Sequence, residues 1–353
     1  MGKIATGYLG RFAGLAAGAF LAAAAALTSP AAAQEYKFTF HHFLPATSPA
    51  QADMLELWAG RLAEASGGRI AIEFYPSMSL GGTPPELIRQ VRDGVVDMIW
   101  VDSGYTPGLF PRTEVFGLPN VHMNDPVATN LAIADLFDEY LAEEHVGVKV
   151  LFQHVHAGQV MHMRDREVRL PQDLVGTSLR IPSRTGAWVV EALGANPVSM
   201  PMPEFPQSLS RGVVDGGLAA LEIIPALKLQ ELTKYHIELE DQGRLGTLVF
   251  QVPMNLDRWN GLPADIQQIF LDNSGEAWLR ELGEIWRKAD DRAVAIATAA
   301  GNRHIMLSAE ESAAFREAVE PVVDRWVEEV TARGIDGQGL VDAARARIAA
   351  HSR

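Results

Sequence analysis

A single arginine, Arg180, stands inside an apolar run, "LRIPSRTGAW" at 179–188. Its guanidinium stays ionised at physiological pH, so it cannot escape burial by losing a proton. A guanidinium can hold a carboxylate through two parallel hydrogen bonds, which makes Arg180 a candidate anion-binding residue. The alternative is an ion pair with an acid of the same chain, because half-buried arginines commonly pair within the protein. The local sequence leaves both interpretations open.

Three histidines lie close together in "HVHAGQVMH" and raise the question of a metal site. Alternation along a strand would put His154 and His156 on one face, and that spacing can bind zinc. However, His162 does not complete a recognisable ligand spacing, and His41 and His42 would point to opposite faces of their strand. The pattern favours ordinary hydrogen-bonded histidines over a metal site, and a metal-dependent hydrolase remains the minor alternative.

Motifs for nucleophilic catalysis or nucleotide binding are missing from the sequence. There is no G-x-S-x-G elbow, no Walker A loop and no Rossmann glycine fingerprint. The "DSG" at 102–104 lacks the context of an elbow, and the glycine pair at 81–82 indicates only a turn. We therefore expect a protein without a catalytic centre and without a cofactor.

The N-terminal residues 1–33 have the organisation of a secretory signal peptide. Lys3 and Arg11 give a basic start, an alanine- and leucine-rich run follows, and "SPAAAQ" offers a small-residue cleavage site. The apolar run is too short for a membrane-spanning helix. We therefore expect export to the periplasm and cleavage after Ala33, with a retained N-terminal anchor as the alternative.

The composition is that of an acidic chain without cysteine. The 353 residues carry a formal net charge of −14, and loss of Lys3 and Arg11 with the leader lowers it to −16. Absence of cysteine excludes disulfides and, in an exported protein, suggests a bacterial periplasm. The negative charge argues against nucleic acids and anionic membranes as partners, because it repels both. A chain of this size normally divides into about two domains.

Strands and helices alternate along the chain, which predicts α/β lobes with largely parallel sheets. The patterns predict strands over 36–43, 69–76, 95–101, 148–156, 177–182 and 213–219, and helices over 52–68, 83–94, 185–196 and 203–212. Arg180 falls near the carboxyl end of its strand, where open α/β sheets place ligand clefts. Leu179 and Ile181 would face the core on the opposite side of that strand.

A short sequence occurs twice, as "RDGVVD" ending at Asp97 and "SRGVVD" ending at Asp215. Each copy follows a predicted short helix and a proline-containing loop. The repeat is either a chance match at a common type of junction or a sign of two lobes with similar connectivity.

A helical pattern continues from Pro263 to about Ala300, nearly 40 residues. Unbroken, this helix would be roughly 50 Å long, enough to connect two lobes. Gly275 and Gly283 are the positions at which it could bend. Capping boxes at "TPPE" (83–86) and "SAEE" (308–311) predict two further helix starts.

Four longer stretches make the chain resemble a known family, the DctP-type solute-binding proteins of tripartite ATP-independent periplasmic (TRAP) transporters. These are "IEFYPSMSLGGTPPELIRQVRDGVVDMIW" (72–100), "VFGLPNV" (115–121), "DLVGTSLRIPSRTGAWVVEALGANPVSMPMPEFPQSLSRGVVDGG" (173–217) and "MNLDRWNGLPADIQQIF" (254–270). The third stretch, with D-L-x-G, R-x-P, L-G-A-x-P and G-V-V-D-G in that order, is the most specific. The resemblance covers essentially the whole chain after the leader.

The resemblance implies an α/β, two-lobed periplasmic-binding-protein fold of type II, with a long helix spanning both lobes and a cleft that closes on its ligand. We assign lobe I to 34–155 and lobe II to 156–249. A crossing strand, the spanning helix and C-terminal helices that pack on both lobes occupy 250–353, with part of 250–300 returning to lobe I. The implied function is an extracytoplasmic receptor, not an enzyme, that hands an organic acid to TRAP membrane permease subunits. A receptor of an ATP-driven importer is the nearer alternative.

The resemblance also places Arg180 at the family's carboxylate-binding position. The other residues expected in the cleft are Asp102, Tyr105, Met202, Phe43, Glu222, Phe250 and His156. Relatives that bind larger acids often carry a second arginine about twenty residues before this one, where this chain has "GQVMHM"; Arg164 and Arg166 lie several positions away. Together with the aromatic candidates, which also include Trp100 and Trp188, this favours a monocarboxylate with an apolar or aromatic body. A C4-dicarboxylate or a keto or hydroxy acid is the alternative.

Overall fold

Two mixed β-sheets organise the protein. The computed structural model describes residues 34–122 and 124–352, so the predicted signal peptide lies outside the described residues. The first sheet contains β1 (Tyr36–His42), β2 (Ile70–Tyr75), β3 (Met98–Asp102), β4 (Val148–Val155) and β10 (Val249–Asn255). The second contains β5 (Val160–Met163), β6 (Ser178–Ile181), β7 (Asn196–Ser199), β8 (Gly216–Ala219), β9 (Tyr235–Glu238) and β11 (Arg303–Met306).

The two sheets have the same strand arrangement. Their orders are β2-β1-β3-β10-β4 and β7-β6-β8-β5-β9, and β11 extends the second sheet at its far edge. In each sheet three parallel strands come first, and an antiparallel strand supplied by the other half of the chain follows, β10 in the first sheet and β5 in the second. The two-lobed α/β fold expected from the sequence is confirmed.

The repeated G-V-V-D sequence occupies equivalent places in the two sheets. Gly94 and Gly212 both have a left-handed backbone, with φ of 70° and 69°, which lets each helix end turn into the next strand. The carboxylate of Asp97 then accepts the backbone N–H of Thr39 in β1 at 2.8 Å. Asp215 accepts the N–H of Ser178 in β6 at 2.9 Å. The repeat therefore reflects shared connectivity, because each aspartate fixes the neighbouring parallel strand in the same way.

Helices cover both sheets. The described residues form α1 (Glu56–Ala65), α2 (Leu87–Arg92), α3 (Pro126–Leu136), α4 (Arg184–Ala192), α5 (Phe205–Ser210), α6 (Ile223–Leu227), α7 (Leu256–Asn260), α8 (Ala264–Asp272), α9 (Glu276–Ala299), α10 (Ala309–Val319), α11 (Pro321–Thr331) and α12 (Gly337–His351). Within that part of the chain, none of them is both long and apolar enough to span a bilayer. Both predicted capping boxes are present, at Thr83 and at Ser308.

The predicted 40-residue helix is wrong in one respect, because it is divided. The segment Asn273–Gly275 separates α8 from α9, and Gly275 with its extended backbone is the N-cap of α9. The 24 residues of α9 still reach roughly 36 Å and contact elements of both lobes, among them α3, β4, α6 and β11. Gly283 lies inside the continuous α9. An added Cβ there would lie 2.5 Å from Val127 Cγ2, so this glycine allows α9 to pack closely on α3.

Two chain segments cross between the sheets side by side. Gln159, between β4 and β5, donates its N–H to Gly246 O at 2.8 Å and accepts the N–H of Leu245 at 3.0 Å. The two segments are therefore joined to each other by backbone hydrogen bonds where they pass from one sheet to the other. One apolar core cluster joins the first sheet, α1, α8 and α9 with α5 and α6 of the second lobe, and the other joins the second sheet, α4 and α10 to α12 with α3.

Candidate ligand-binding site

A cavity lies between the two sheets, at the carboxyl ends of β1, β3 and β8. The space that protein atoms leave unfilled there, including space open to solvent, is about 350 Å³. Its lining consists of Phe43, Leu44, Trp100, Tyr105, His156, Met202, Ala219, Ala220, Glu222, Ile223, Leu248 and Phe250. Six of the eight residues predicted for the cleft thus meet around one space. The other two, Arg180 and Asp102, lie beside this lining and not in it.

Stacked aromatic rings form one wall of the cavity. The Trp100 ring is stacked on the rings of Phe43 and Phe250, with centroid distances of 4.9 Å and 4.5 Å and interplanar angles of 13° and 10°. The indole N–H of Trp100 donates to His154 Nε2 at 2.9 Å, which fixes the plane of the ring. Trp188, the other tryptophan considered from the sequence, packs elsewhere under guanidinium groups. The wall suits a flat apolar group, because parallel rings offer a broad surface for stacking.

Arg180 is fully buried, with an exposed fraction of 0%. Its Nε donates to Met200 O at 3.0 Å and its Nη1 donates to Leu218 O at 2.9 Å. Its Nη2 has no hydrogen-bond partner, and the guanidinium forms no salt bridge with any described residue. An internal ion pair, the alternative left open by the sequence, is therefore absent from the described part of the chain. Two carbonyl groups hold the guanidinium in place, Tyr105 and Asp102 lie close to it, and Nη2 is left without a hydrogen-bond partner.

Asp102 and Tyr105, which belong to the first lobe, lie close to Arg180 of the second lobe. Asp102 Oδ1 accepts the N–H of Gly104 at 2.8 Å, and its Oδ2 is buried without a partner. Burial raises the pKa of Asp102 to about 7, while the Gly104 hydrogen bond and the positive charge of Arg180 act in the opposite direction. The Tyr105 hydroxyl accepts the N–H of Met202 at 2.9 Å and so bridges the two lobes. The cleft is closed in this structure.

His156 lies in the first crossing segment and faces the cavity as a neutral imidazole. Its Nδ1 accepts the N–H of Gly158 at 2.9 Å, and Thr247 of the second crossing segment lies 3.1 Å from the same atom. Burial lowers the pKa of His156 well below its ordinary value. Because Nδ1 is the acceptor, Nε2 carries the ring proton, and this N–H is buried without a partner.

Glu222 carries the acidic group of the lining and belongs to a buried charge network. Its N–H donates to Asp290 Oδ1 at 2.9 Å, and Arg244 donates to Asp290 Oδ2 at 3.1 Å and to Glu238. Burial, followed by the charge of Asp290, raises the pKa of Glu222 well above its ordinary value. Its Oε2 has no partner. Burial also raises the pKa of Asp290 to about 7, against the opposing charge of Arg244, so the two carboxyl groups are disfavoured from being ionised together.

The metal interpretation of the histidines is not supported by the geometry. His154 Nε2 accepts the Trp100 indole, and its Nδ1 lies 3.3 Å from Val155 O, so neither nitrogen is free. Burial lowers the pKa of His154 to about 3. Over 34–122 and 124–352, no group of three or more histidine or acidic side chains is arranged to hold a metal ion.

Part of the site was missed by the sequence analysis. The apolar lining residues Leu44, Ala219, Ala220 and Leu248 carry no chemical signal of their own. A usable signal existed for the first three, since each follows or ends a strand next to a predicted site residue. Asp290 could not have been found, because it joins Glu222 from 68 residues away along the chain.

Comparison with known proteins agrees with this geometry. Residues 40–329 match the family DctP, bacterial extracellular solute-binding protein, family 7. The C4-dicarboxylate-binding periplasmic protein DctP of Rhodobacter capsulatus is 28% identical over 315 residues, which is 88% of this chain and 92% of that protein.

Two crystal structures of TRAP solute-binding proteins are also similar. One from Rhodoferax ferrireducens, with copurified benzoate, is 37% identical at a TM-score of 0.87 and covers 90% of this chain and 98% of its own. One from a marine metagenome, specific for aromatic acid ligands and crystallised with 3-hydroxybenzoate, is 35% identical at a TM-score of 0.88 and covers 91% and 100%. The chain therefore belongs to the DctP family of bacterial extracellular solute-binding proteins and is a TRAP solute-binding receptor, not an enzyme.

Proposed function

We propose that the protein captures a monocarboxylic acid with an aromatic body in the periplasm and delivers it to the membrane subunits of a TRAP transporter. The observation that carries this proposal is the state of Arg180, a fully buried guanidinium that has an unused Nη2 donor and no ion-pair partner among the described residues. A buried charge without a counter-charge is costly, and a ligand carboxylate supplies one.

The lining supports a single carboxylate and an apolar body. The cavity lining contains no lysine or arginine among the described residues, and Arg180 lies beside it, which favours a ligand with a single carboxylate. Arg164 instead pairs with Asp165 at the surface, and Arg166 donates to Asp173 O. The stacked rings of Phe43, Trp100 and Phe250 offer the ligand a flat apolar surface. Benzoate and 3-hydroxybenzoate in the two similar structures have this combination of one charge and one ring.

A binding screen with a charge-matched control tests the proposal. Benzoate at 100 times its Kd should stabilise the fold by about 2.7 kcal/mol and raise the Tm. Arg180→Gln should weaken benzoate binding by about 30-fold or more in calorimetry, since removal of one partner of a buried charge pair costs about 2–5 kcal/mol. Arg211→Gln removes an exposed positive charge and should leave the Kd unchanged. Full affinity in Arg180→Gln, or a C4-dicarboxylate that binds more tightly than every aromatic acid, would contradict the proposal.

Delivery to the membrane subunits is tested separately. Vesicles that contain the two TRAP membrane subunits should take up labelled benzoate only when this receptor is added. Uptake that requires ATP hydrolysis would instead assign the receptor to an ATP-driven importer.

A further inference from the structure

The turn that follows β7 holds Arg180, and its backbone offers few hydrogen-bond donors. Met200 O of this turn accepts Arg180 Nε at 3.0 Å. Met202 comes two residues later and lies between Pro201 and Pro203, neither of which has a backbone N–H. The Met202 N–H is therefore the single backbone donor of residues 201–203, and whatever accepts it determines how firmly the turn is held.

The acceptor of this donor comes from the other lobe. Met202 begins a short 3-10 helix, Met202–Glu204, and the first N–H groups of a helix have no acceptor within it. The N-cap residue Pro201 provides no side-chain cap. Met202 is buried, where an N–H without an acceptor costs free energy. Among the described residues, the Tyr105 hydroxyl accepts this N–H, at 2.9 Å.

The aromatic wall of the cavity holds the ring of Tyr105. This ring meets Phe43 edge-on, with centroids 5.3 Å apart, and Phe43 is itself stacked on Trp100. Tyr105 belongs to the short helix Ser103–Tyr105, which directly follows β3. The hydroxyl therefore reaches the second lobe from a ring whose position is determined by the first.

We infer that Tyr105 is a positioning residue for Arg180, because its hydroxyl fixes the turn 200–202 and the carbonyl of that turn holds the guanidinium. The inference rests on the proposed function, since it concerns the same carboxylate site. The other carbonyl that holds Arg180, Leu218 O, belongs to β8, which pairs with β6 in the second sheet. That hydrogen bond does not need the first lobe. Met200 O is thus the acceptor whose position depends on closure.

Two consequences distinguish this role from a direct contact between Tyr105 and the body of the ligand. Loss of the hydroxyl weakens the grip on the carboxylate, so acids with different bodies should lose affinity by the same factor. The loss should also appear in the dissociation rate, because the hydrogen bond between the lobes forms only after the ligand has entered and the cleft has closed.

Tyr105→Phe in the full mature chain tests both consequences, with benzoate and phenylacetate as probes. The Kd of each acid should rise by the same factor, about 5- to 150-fold, because the variant leaves a buried N–H without an acceptor. Stopped-flow measurements should assign the rise to faster dissociation. Tyr140→Phe, which removes a hydroxyl outside the cavity lining, should leave the Kd values and the rates unchanged. An unchanged Kd in Tyr105→Phe, or clearly different factors for the two acids, would overturn the inference.

A double-mutant cycle separates positioning of Arg180 from a general loss of contact between the lobes. In the Arg180→Gln background, Tyr105→Phe should raise the benzoate Kd by less than about 2-fold, since the turn no longer has a guanidinium to hold. If Tyr105→Phe has its full effect in that background, Tyr105 acts independently of Arg180 and the inference is wrong.

Amide exchange of Met202, followed by NMR, provides a measurement that needs no ligand. In unliganded Tyr105→Phe this N–H should exchange about 5-fold faster or more than in the wild type, and in Tyr140→Phe it should not change. An unaltered rate in Tyr105→Phe would overturn the inference. Failure of every aromatic acid to bind would overturn the proposed function, and the exchange rate would still decide whether Tyr105 anchors the turn. The Tm of each unliganded variant shows whether it is folded; if Tyr105→Phe is not, Met202→Pro removes the donor instead, at a first helical position that accepts proline.

Discussion

Closure of the cleft depends on a close approach between Gly104 of the first lobe and Ser183 of the second. An added Cβ on Gly104 would lie 2.8 Å from Ser183 Cβ, well inside the 3.5–4.0 Å at which two carbon atoms pack. Gly104 does not have a left-handed backbone, so alanine fits its conformation. Gly104→Ala should therefore disturb the contact between the lobes and leave the folding of each lobe nearly unchanged.

The magnitude follows from the cost of overpacking. Forcing an extra methyl group into a packed contact costs about 1–3 kcal/mol. The tightest contact is the one between the lobes, and the next, 3.2 Å from Asp102 Oδ1, lies within the first lobe. Because most of the cost therefore falls on the closed state, the Kd for benzoate should rise about 5- to 150-fold while the unfolding free energy of the unliganded protein changes by less than about 0.5 kcal/mol. The assays are calorimetry with benzoate and urea unfolding without ligand.

A second substitution, at Ser183, tests whether the contact between Gly104 and Ser183 causes the loss of affinity. Ser183→Gly removes the opposing Cβ. In the wild type Ser183 is the N-cap of α4, and its Oγ accepts the N–H of Gly186. Replacing an N-cap serine with glycine costs only a few tenths of a kcal/mol. The Gly104→Ala and Ser183→Gly double variant should regain most of the lost affinity. Wild-type affinity in Gly104→Ala alone, or a double variant as weak as that single variant, would show that this contact does not control closure.

Further predictions concern Asp102 and the packing of α9. The pKa of Asp102 in the folded protein, about 7, lies above its ordinary value. The contribution of protonated Asp102 to stability is therefore present at low pH and is lost as the pH rises through 7. Benzoate affinity should fall over the same range, because an ionised Asp102 competes with the ligand for Arg180. Asp102→Asn should remove this pH dependence in calorimetry between pH 6 and 8, and an unaltered profile would exclude Asp102 as its source. Gly283→Ala should lower the unfolding free energy by about 1–3 kcal/mol in urea titrations, since its Cβ would lie 2.8 Å from Val127 Cα. Gly60→Ala, in α1 with nothing within 4 Å, should instead stabilise by up to about 1 kcal/mol, and equal effects of the two substitutions would contradict the packing argument.

The sequence was sufficient where a local pattern determines structure. Strand alternation placed Leu179 and Ile181 in the core and Arg180 on the other face, and the structure has this arrangement. The Thr83 capping box and the G-V-V-D repeat were likewise visible, because hydrogen bonds within a few residues and left-handed glycines leave a signature in the sequence.

Features that depend on distant contacts could not be predicted. The break at Asn273 leaves the helical spacing of apolar residues on either side intact, so periodicity alone suggested one helix. The strand β11 was missed, since it is short and follows a helix in a polar stretch, and only pairing with β9 defines it. The role of Glu222 depends on Asp290 and Arg244, which the fold brings together from separate elements.

The position of Arg180 explains how closure of the cleft can discriminate a carboxylate ligand from a neutral one. Arg180 belongs to the second lobe, and Asp102 and Tyr105 close over it from the first. When the cleft opens, water solvates the guanidinium, and when it closes, that solvation is lost. A neutral ligand of the same shape fills the cavity but leaves the buried charge uncompensated, so it gains little from closure. A carboxylate supplies the counter-charge that closure would otherwise leave missing, so it favours the closed state more than a neutral ligand does and shifts the population towards closure.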